Sequence, residues 1–332
     1  MGNSKGTNWV SKKTYNPRYT IQKMHQKKLL SDNLSIAGSH FIGYHKFTIG
    51  SEVPLYEIDS LHALNQIIGY AKFINRGYGD VYYRGETKLH NTLRPSLLRS
   101  GNRADSKSAS LNVLITKYLT DENFIKLMKL NVDDQYSSEN LIEGMLQHYG
   151  VPTRYVDVVD NHWIALWMGL HTCKKYKQMV SYYRYERRAI PYIDAVKGNE
   201  ISEDKLYQYV LLLAVPGDDR RKNNGIFVSK HYMIIDLRQA LPSIFLRPHA
   251  QHGLIIKRCS KDAHNCDEYD MADSVIGILK IRVDNSHSWL GNGELLSQEN
   301  LFPPPAYDNG YDILLQRSDL ISASGYEIAR YV

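Results

Sequence analysis

Four strand-length apolar runs crowd the second half of the chain: YQYVLLLAV (207–215), GIFVSKHYMIID (225–236), HGLIIK (252–257) and SVIGILKIRV (274–283). Turn clusters such as GDDRRKNNG (217–225) separate them. Strands that succeed one another in this way build a sheet, and the first half of the chain must help to cover it. That half reads mainly as helix. IDSLHALNQIIGYAKFIN (58–75) sets Leu61, Leu64, Ile68 and Ala71 along one stripe, with Asp59 or Ser60 as its cap. Residues 108–130 are helical with a break around Thr120–Asp121. SSENLIEGMLQHYG (137–150) ends at Gly150, and Pro152 prevents its resumption. DNHWIALWMGL (160–170) begins a buried helix, and GDVYYRGE (79–86) is a strand set among these helices. Helices first and strands later predict an α+β fold with a mixed or antiparallel sheet, not alternating βαβ units.

Charge divides the chain unevenly. Residues 1–31 hold seven Lys/Arg and no acid, and the remainder is close to neutral, with 34 basic against 35 acidic residues. The expected organisation is therefore a basic extension over 1–50 and a single domain over 51–332. A cationic arm of this kind suits an anionic partner, such as nucleic acid or an acidic protein, or is simply a solvated leader. No run reaches the roughly 18 apolar residues of a membrane helix, and the first residues show no signal-peptide core. Three cysteines (Cys173, Cys259, Cys266) cannot make a disulfide framework, and the expected location is the cytoplasm.

Three segments carry candidate chemistry. In DVYYRGETKLHNTLRPSLLRS (80–100), Arg84 closes a strand beside Gly85, where a missing side chain lets a ligand approach the backbone. A guanidinium there offers a planar fork to phosphate or carboxylate, although a structural salt bridge fits the pattern as well. In LQHYGVPTRYVDVVDN (146–161), Asp160, Asn161 and His148 suit helix caps and satisfied loop histidines. Arg154 and Asp157 flank an apolar Tyr-Val pair, where charges need partners. In FLRPHAQHGLIIK (245–257), Gln251 stands at the start of a strand, as a backbone cap or a hydrogen-bonding group for a ligand hydroxyl.

Together these segments resemble the FRG domain. The marks are Tyr83-Arg84-Gly85 followed by LRPSLLR, then QHYGVPTRYVDVVDNHWIAL, then Gln251-His252-Gly253, spanning roughly 80–257. Glu86 stands where the family usually has Gln, and Val158-Val159 where it has Trp-Thr. The resemblance implies a cleft similar to that of the ADP-ribosyltransferase fold, with NAD as co-substrate and no metal. On this reading the catalytic set is Arg84, Asp157 and Gln251. Arg84 meets the NAD phosphate or ribose with Gly85, Tyr83 or Tyr149 stacks, Thr153 lines the cofactor site, Arg154 meets phosphate or substrate, and Gln251 holds the nicotinamide ribose. Breaking the C–N bond builds positive charge, which a carboxylate from Asp157 or Glu86 would stabilise; one well-placed group of this kind is worth about 2.7–4 kcal/mol. Asp157 is also the candidate base.

For the acceptor, KKYKQMVSYYRYERR (174–188) interleaves Lys174, Lys175, Lys177, Arg184, Arg187 and Arg188 with tyrosines. Such a strip tracks a phosphate backbone and stacks bases, or is a solvated helix face. With the basic arm it points to single-stranded nucleic acid, RNA ahead of DNA. The expected protein is thus an ADP-ribosyltransferase acting as a toxin or defence effector, with an antitoxin partner. Its rivals are an NAD glycohydrolase and a non-catalytic module binding nucleic acid or a nucleotide. Cys259, His264 and Cys266 lie close together but lack a fourth ligand for a structural zinc.

Overall fold

The computed structural model describes residues 26–99, 105–131, 133–177, 181–189, 202–216, 221–223, 225–259, 266–317, 321 and 325–331. The turn sequence 217–220, His264 and most of the basic arm lie outside these residues. Among the described residues five α-helices precede residue 171: α1 (Leu61–Asn75), α2 (Asp105–Thr120), α3 (Glu122–Met128), α4 (Gln135–His148) and α5 (His162–Leu170). The strands among the described residues are β1 (Ser39–Lys46), β2 (Glu52–Ile58), β3 (Gly79–Glu86), β4 (Val156–Val159), β5 (His171–Lys177), β6 (Ser181–Arg187), β7 (Tyr207–Pro216), β8 (Arg221–Asn223), β9 (Ile226–Val228), β10 (Tyr232–Asp236), β11 (Gly253–Arg258) and β12 (Val275–Arg282).

Ten of them make one sheet in the order β1-β2-β12-β7-β3-β4-β11-β10-β9-β8. Every neighbouring pair is antiparallel except β2 with β12, which is parallel. The mixed sheet with helices packed on it agrees with an α+β class. β7 is buried along nearly its whole length, as a central strand covered on both faces must be. Under β1, β2, β12, β7 and β3, helices α1 and α5 supply Ala63, Leu64, Ile67, Ile164 and Trp167 to one core. Helices α2, α3 and α4 supply Leu114, Tyr118, Phe124, Ile142 and Met145 to a second, against Met233, Ile235 and Ile255. The opposite face of the sheet is closed by loop residues including Leu93, Met271 and Ala272.

The caps follow from residue chemistry. Ser60 accepts from the Ala63 amide at the head of α1, and Asn161 from the Trp163 amide at the head of α5. The break near Thr120–Asp121 is a true cap: Asp121 accepts from the Phe124 amide and starts α3. Two expectations need correction. The boundary at residue 50 falls in the turn of the β1–β2 hairpin, and Leu30 is already in the core, its amide donating to the Ile276 carbonyl at 2.9 Å. Residues 30–50 are therefore part of the folded body. The described part of the strip 174–188 is no helix face; β5 and β6 pair as a separate two-stranded sheet. Among the described residues no helix is long and apolar enough to cross a membrane.

Candidate functional site

Tyr83↔Val159 is the single registered pair between β3 and β4. Beyond it the two strands part, and a cleft of about 350 Å3 opens between them. Arg84 stands at the fork. Its Nη1 donates to the Asp157 carbonyl at 2.8 Å and its Nε to Glu86 Oε1 at 2.6 Å. Burial opposes the guanidinium charge, but Glu86 and Asp157 outweigh it and raise the pKa above the ordinary arginine value. Arg99 lines the same cleft and has no hydrogen-bond or ion-pair partner among the described residues. Its crowded surroundings and the like charge of Arg84 lower its pKa, yet an arginine stays charged at neutral pH. Two guanidinium groups thus stand at one wall, that of Arg84 already paired with Glu86.

Opposite them, Asp157 is held by a relay: its Oδ2 accepts from Gln147 Nε2 at 2.7 Å, and Gln147 Oε1 accepts from the Thr153 hydroxyl. Its Oδ1 lies 3.8 Å from Nε2 of His148. His148 is the side chain that sequence reasoning undervalued. It is 8% exposed, and neither ring nitrogen has a hydrogen-bond partner. Burial pushes its pKa down to about 4, against the pull of Asp157, so the imidazole is neutral. Gly253 explains why it fits. A Cβ there would stand 2.2 Å from His148 Cε1, so only glycine lets the ring lie on β11. The ring thus lines the cleft with two nitrogens that no protein group engages by a hydrogen bond among the described residues.

The third wall is aromatic and comes from outside the recognised motifs. Tyr185 stacks on Phe302 with ring centroids 4.4 Å apart, and Tyr331 packs against both. Behind this wall the buried Arg247 places its guanidinium 4.6 Å from the rings of Tyr149, Tyr311 and Tyr331 and donates to the His148 carbonyl at 2.9 Å. Nothing in the sequence near Phe302 or Tyr331 marks them; only the fold brings residues 302 and 331 to the cleft.

Of the residues assigned from sequence, Arg84, Asp157 and Gln251 converge on this cleft, with Tyr83 and Gly85 at its floor. Gln251 is buried, and its Nε2 donates to the Leu301 carbonyl at 2.8 Å. The Tyr83 ring turns into the core under α1 and α5, where Lys72 Nζ sits 5.3 Å from its centroid. Gly85 serves packing more than ligand access: a Cβ there would meet the Ala165 carbonyl oxygen at 1.8 Å, because the backbone of α5 runs against β3.

Three others stand away from the cleft. Arg154 is clamped on Glu143, with Nε at 3.0 Å from Oε1 and Nη2 at 2.6 Å from Oε2, beside Lys257. Tyr149 is fully buried, its hydroxyl donating to Asp308 Oδ2 at 2.7 Å. Thr153 is buried in the turn and acts only through Gln147.

The cationic strip is mostly committed. Lys174 pairs with Glu186 and Lys175 with Glu327, while Arg187 and Arg188 donate to backbone carbonyls of Asn292, Gly169 and Tyr207. Lys177 and Arg184 are exposed and without such partners among the described residues. No group of three or more His, Cys, Asp or Glu that could hold a metal ion occurs among the described residues.

No curated protein sequence and no solved structure matches this chain. A family model does. It covers residues 79–178, from the first residue of β3 through the Tyr83-Arg84-Gly85 and QHYGVPTR segments to the end of β5, and leaves Gln251 outside; over that span the chain carries an FRG domain.

Proposed function

We propose that the chain is an NAD-dependent ADP-ribosyltransferase, a toxin or defence effector that transfers ADP-ribose to a base of single-stranded nucleic acid, RNA ahead of DNA. The observation that carries this reading is the meeting of Arg84, Asp157 and Gln251, distant in sequence, on one cleft. Arg84 and Arg99 together suit a pyrophosphate, which takes charge-assisted and bidentate hydrogen bonds. The Tyr185–Phe302–Tyr331 wall suits a flat heterocycle. The orphaned nitrogens of His148 and the amide of Gln251 suit ribose hydroxyls. Asp157, fixed by Gln147, supplies negative charge where the glycosidic carbon becomes cationic. Glu86 is a weaker choice because Arg84 already neutralises it. An activity of this kind needs restraint in the cell that makes it, hence a partner antitoxin protein.

The test is to incubate the full chain with NAD labelled in its adenylate part, together with RNA, DNA and cell protein. Label on nucleic acid is the expected result, and Arg84→Ala should abolish it. Free labelled ADP-ribose would make the protein a glycohydrolase. Intact NAD with nucleic acid bound would make it a binding module, the reading that the uncharged Gln251 favours.

A further inference from the structure

A second cavity of about 450 Å3 lies behind the cleft, and His171 and Tyr185 line both. Its other walls include Arg184, Arg187, Ser297 and Gln298. His171 is fixed in a particular state. Its ring stacks on Trp167 with centroids 3.9 Å apart and planes 17° from parallel. Its Nδ1 lies 2.8 Å from the Trp167 carbonyl oxygen, and a carbonyl only accepts, so Nδ1 carries the proton. Burial pushes the pKa down to about 4, with His287 and Arg187 adding to that, so the ring is neutral. Nε2 therefore keeps its lone pair. An oriented neutral imidazole with an acceptor nitrogen, placed between two cavities, can take a proton as an attacking group gives it up, with the weak basicity that its burial imposes.

We propose that this second cavity is the acceptor subsite, that it takes a nucleotide unit of single-stranded RNA, and that His171 receives the proton of the attacking group. This rests on the transferase reading above. Arg184 is exposed and has no hydrogen-bond or ion-pair partner among the described residues, while the neighbouring Glu186 of the same cavity is held by Lys174; the outer face of His171 offers stacking, and Ser297 and Gln298 border the space where a base edge would lie. In the transfer, the glycosidic C–N bond of the nicotinamide riboside breaks and its electron pair leaves with nicotinamide. The acceptor oxygen or nitrogen bonds to the same carbon, and its proton passes to His171 Nε2 and then to water. No redox partner is needed.

Two measurements on the full chain test this. The first is binding of a fluorescent single-stranded RNA oligonucleotide, where Arg184→Glu should weaken affinity about tenfold or more. The second is label transfer from NAD to that RNA, where His171→Gln should lower kcat about a hundredfold or more. Wild-type affinity in Arg184→Glu overturns the subsite, as does label that goes to protein in place of RNA. If His171→Gln fails to fold, the Arg184→Glu binding result decides. Nicotinamide release separates the two readings. Its absence from the wild-type chain, with RNA binding still sensitive to Arg184, removes the transferase and leaves the RNA cavity. Its presence with RNA binding insensitive to Arg184 does the reverse.

Discussion

His148 closes α4 and Arg154 follows six residues later in the turn, and the structure gives them opposite places. Arg154 looked like a ligand group because it flanks buried residues, but α4 had already set Glu143 eleven positions earlier to receive it. Nothing in the local string announces a partner at that distance across a helix end. His148 looked like an ordinary loop histidine, yet it is left without a hydrogen bond because Gly253, a hundred residues on, makes room for the ring. Both outcomes are properties of tertiary contact, which a one-dimensional pattern does not carry. Arg84 and Asp157 were legible as members of two motifs, but that they line one cleft follows from β3 lying beside β4, which only the fold supplies. Two predictions belong here. Glu143→Ala leaves Arg154 and Lys257 without their buried counter-charge and should destabilise the fold by about 3–5 kcal/mol in urea unfolding, with the cleft untouched. Arg99→Ala removes one charged donor, worth about 1.5–3 kcal/mol, and should raise the KM for NAD about tenfold or more while kcat changes less.

At the scale of elements, α5 and β3 determine how the cleft is built. Their backbones touch at Gly85, and Gly85→Ala would push α5 off β3 and move Ala165, Met168 and His171 with it. The expected result is a loss of stability of at least about 1–3 kcal/mol, read as a lower melting temperature, together with loss of label transfer. Most elements were legible: β3, β7, β11, β12 and α1 to α5 fall within a few residues of their sequence-based bounds, since the strands are apolar runs set off by turn residues and the helices show apolar stripes, several with a capping residue. The β5–β6 hairpin was not, because its alternating tyrosines and cations fit a helical face and a strand equally well. The β1–β2 hairpin was also missed. Its sequence is polar because much of β1 faces solvent at the sheet edge, so the apolar alternation that marks a half-buried strand is weak there.

For the molecule as a whole, acid should act first through buried histidines. His148, His162 and His171 all have pKa values pushed down to about 4, burial being the main cause in each. In the unfolded chain they titrate near the ordinary value of about 6.5. Their neutral forms thus favour the folded state fully above pH about 6.5, and this contribution is lost as pH falls from there toward about 4. Glu143 and Asp121, whose pKa values are lowered, add stability that disappears only further down, as pH falls through their folded values. Urea unfolding at stepped pH should show a plateau above neutrality and a decline beginning near pH about 6.5; a plateau that persists to pH about 5 would contradict the burial of these rings. The sheet itself is two five-stranded halves, β1-β2-β12-β7-β3 and β4-β11-β10-β9-β8, joined by one backbone register pair at Tyr83 and Val159 and by the Arg84 side chain bonded across to the Asp157 carbonyl. Any molecule that grips Arg84 on one half and His148 or Gln251 on the other supplies the rungs that the backbone omits, so occupancy of the seam and cohesion of the two halves are a single equilibrium.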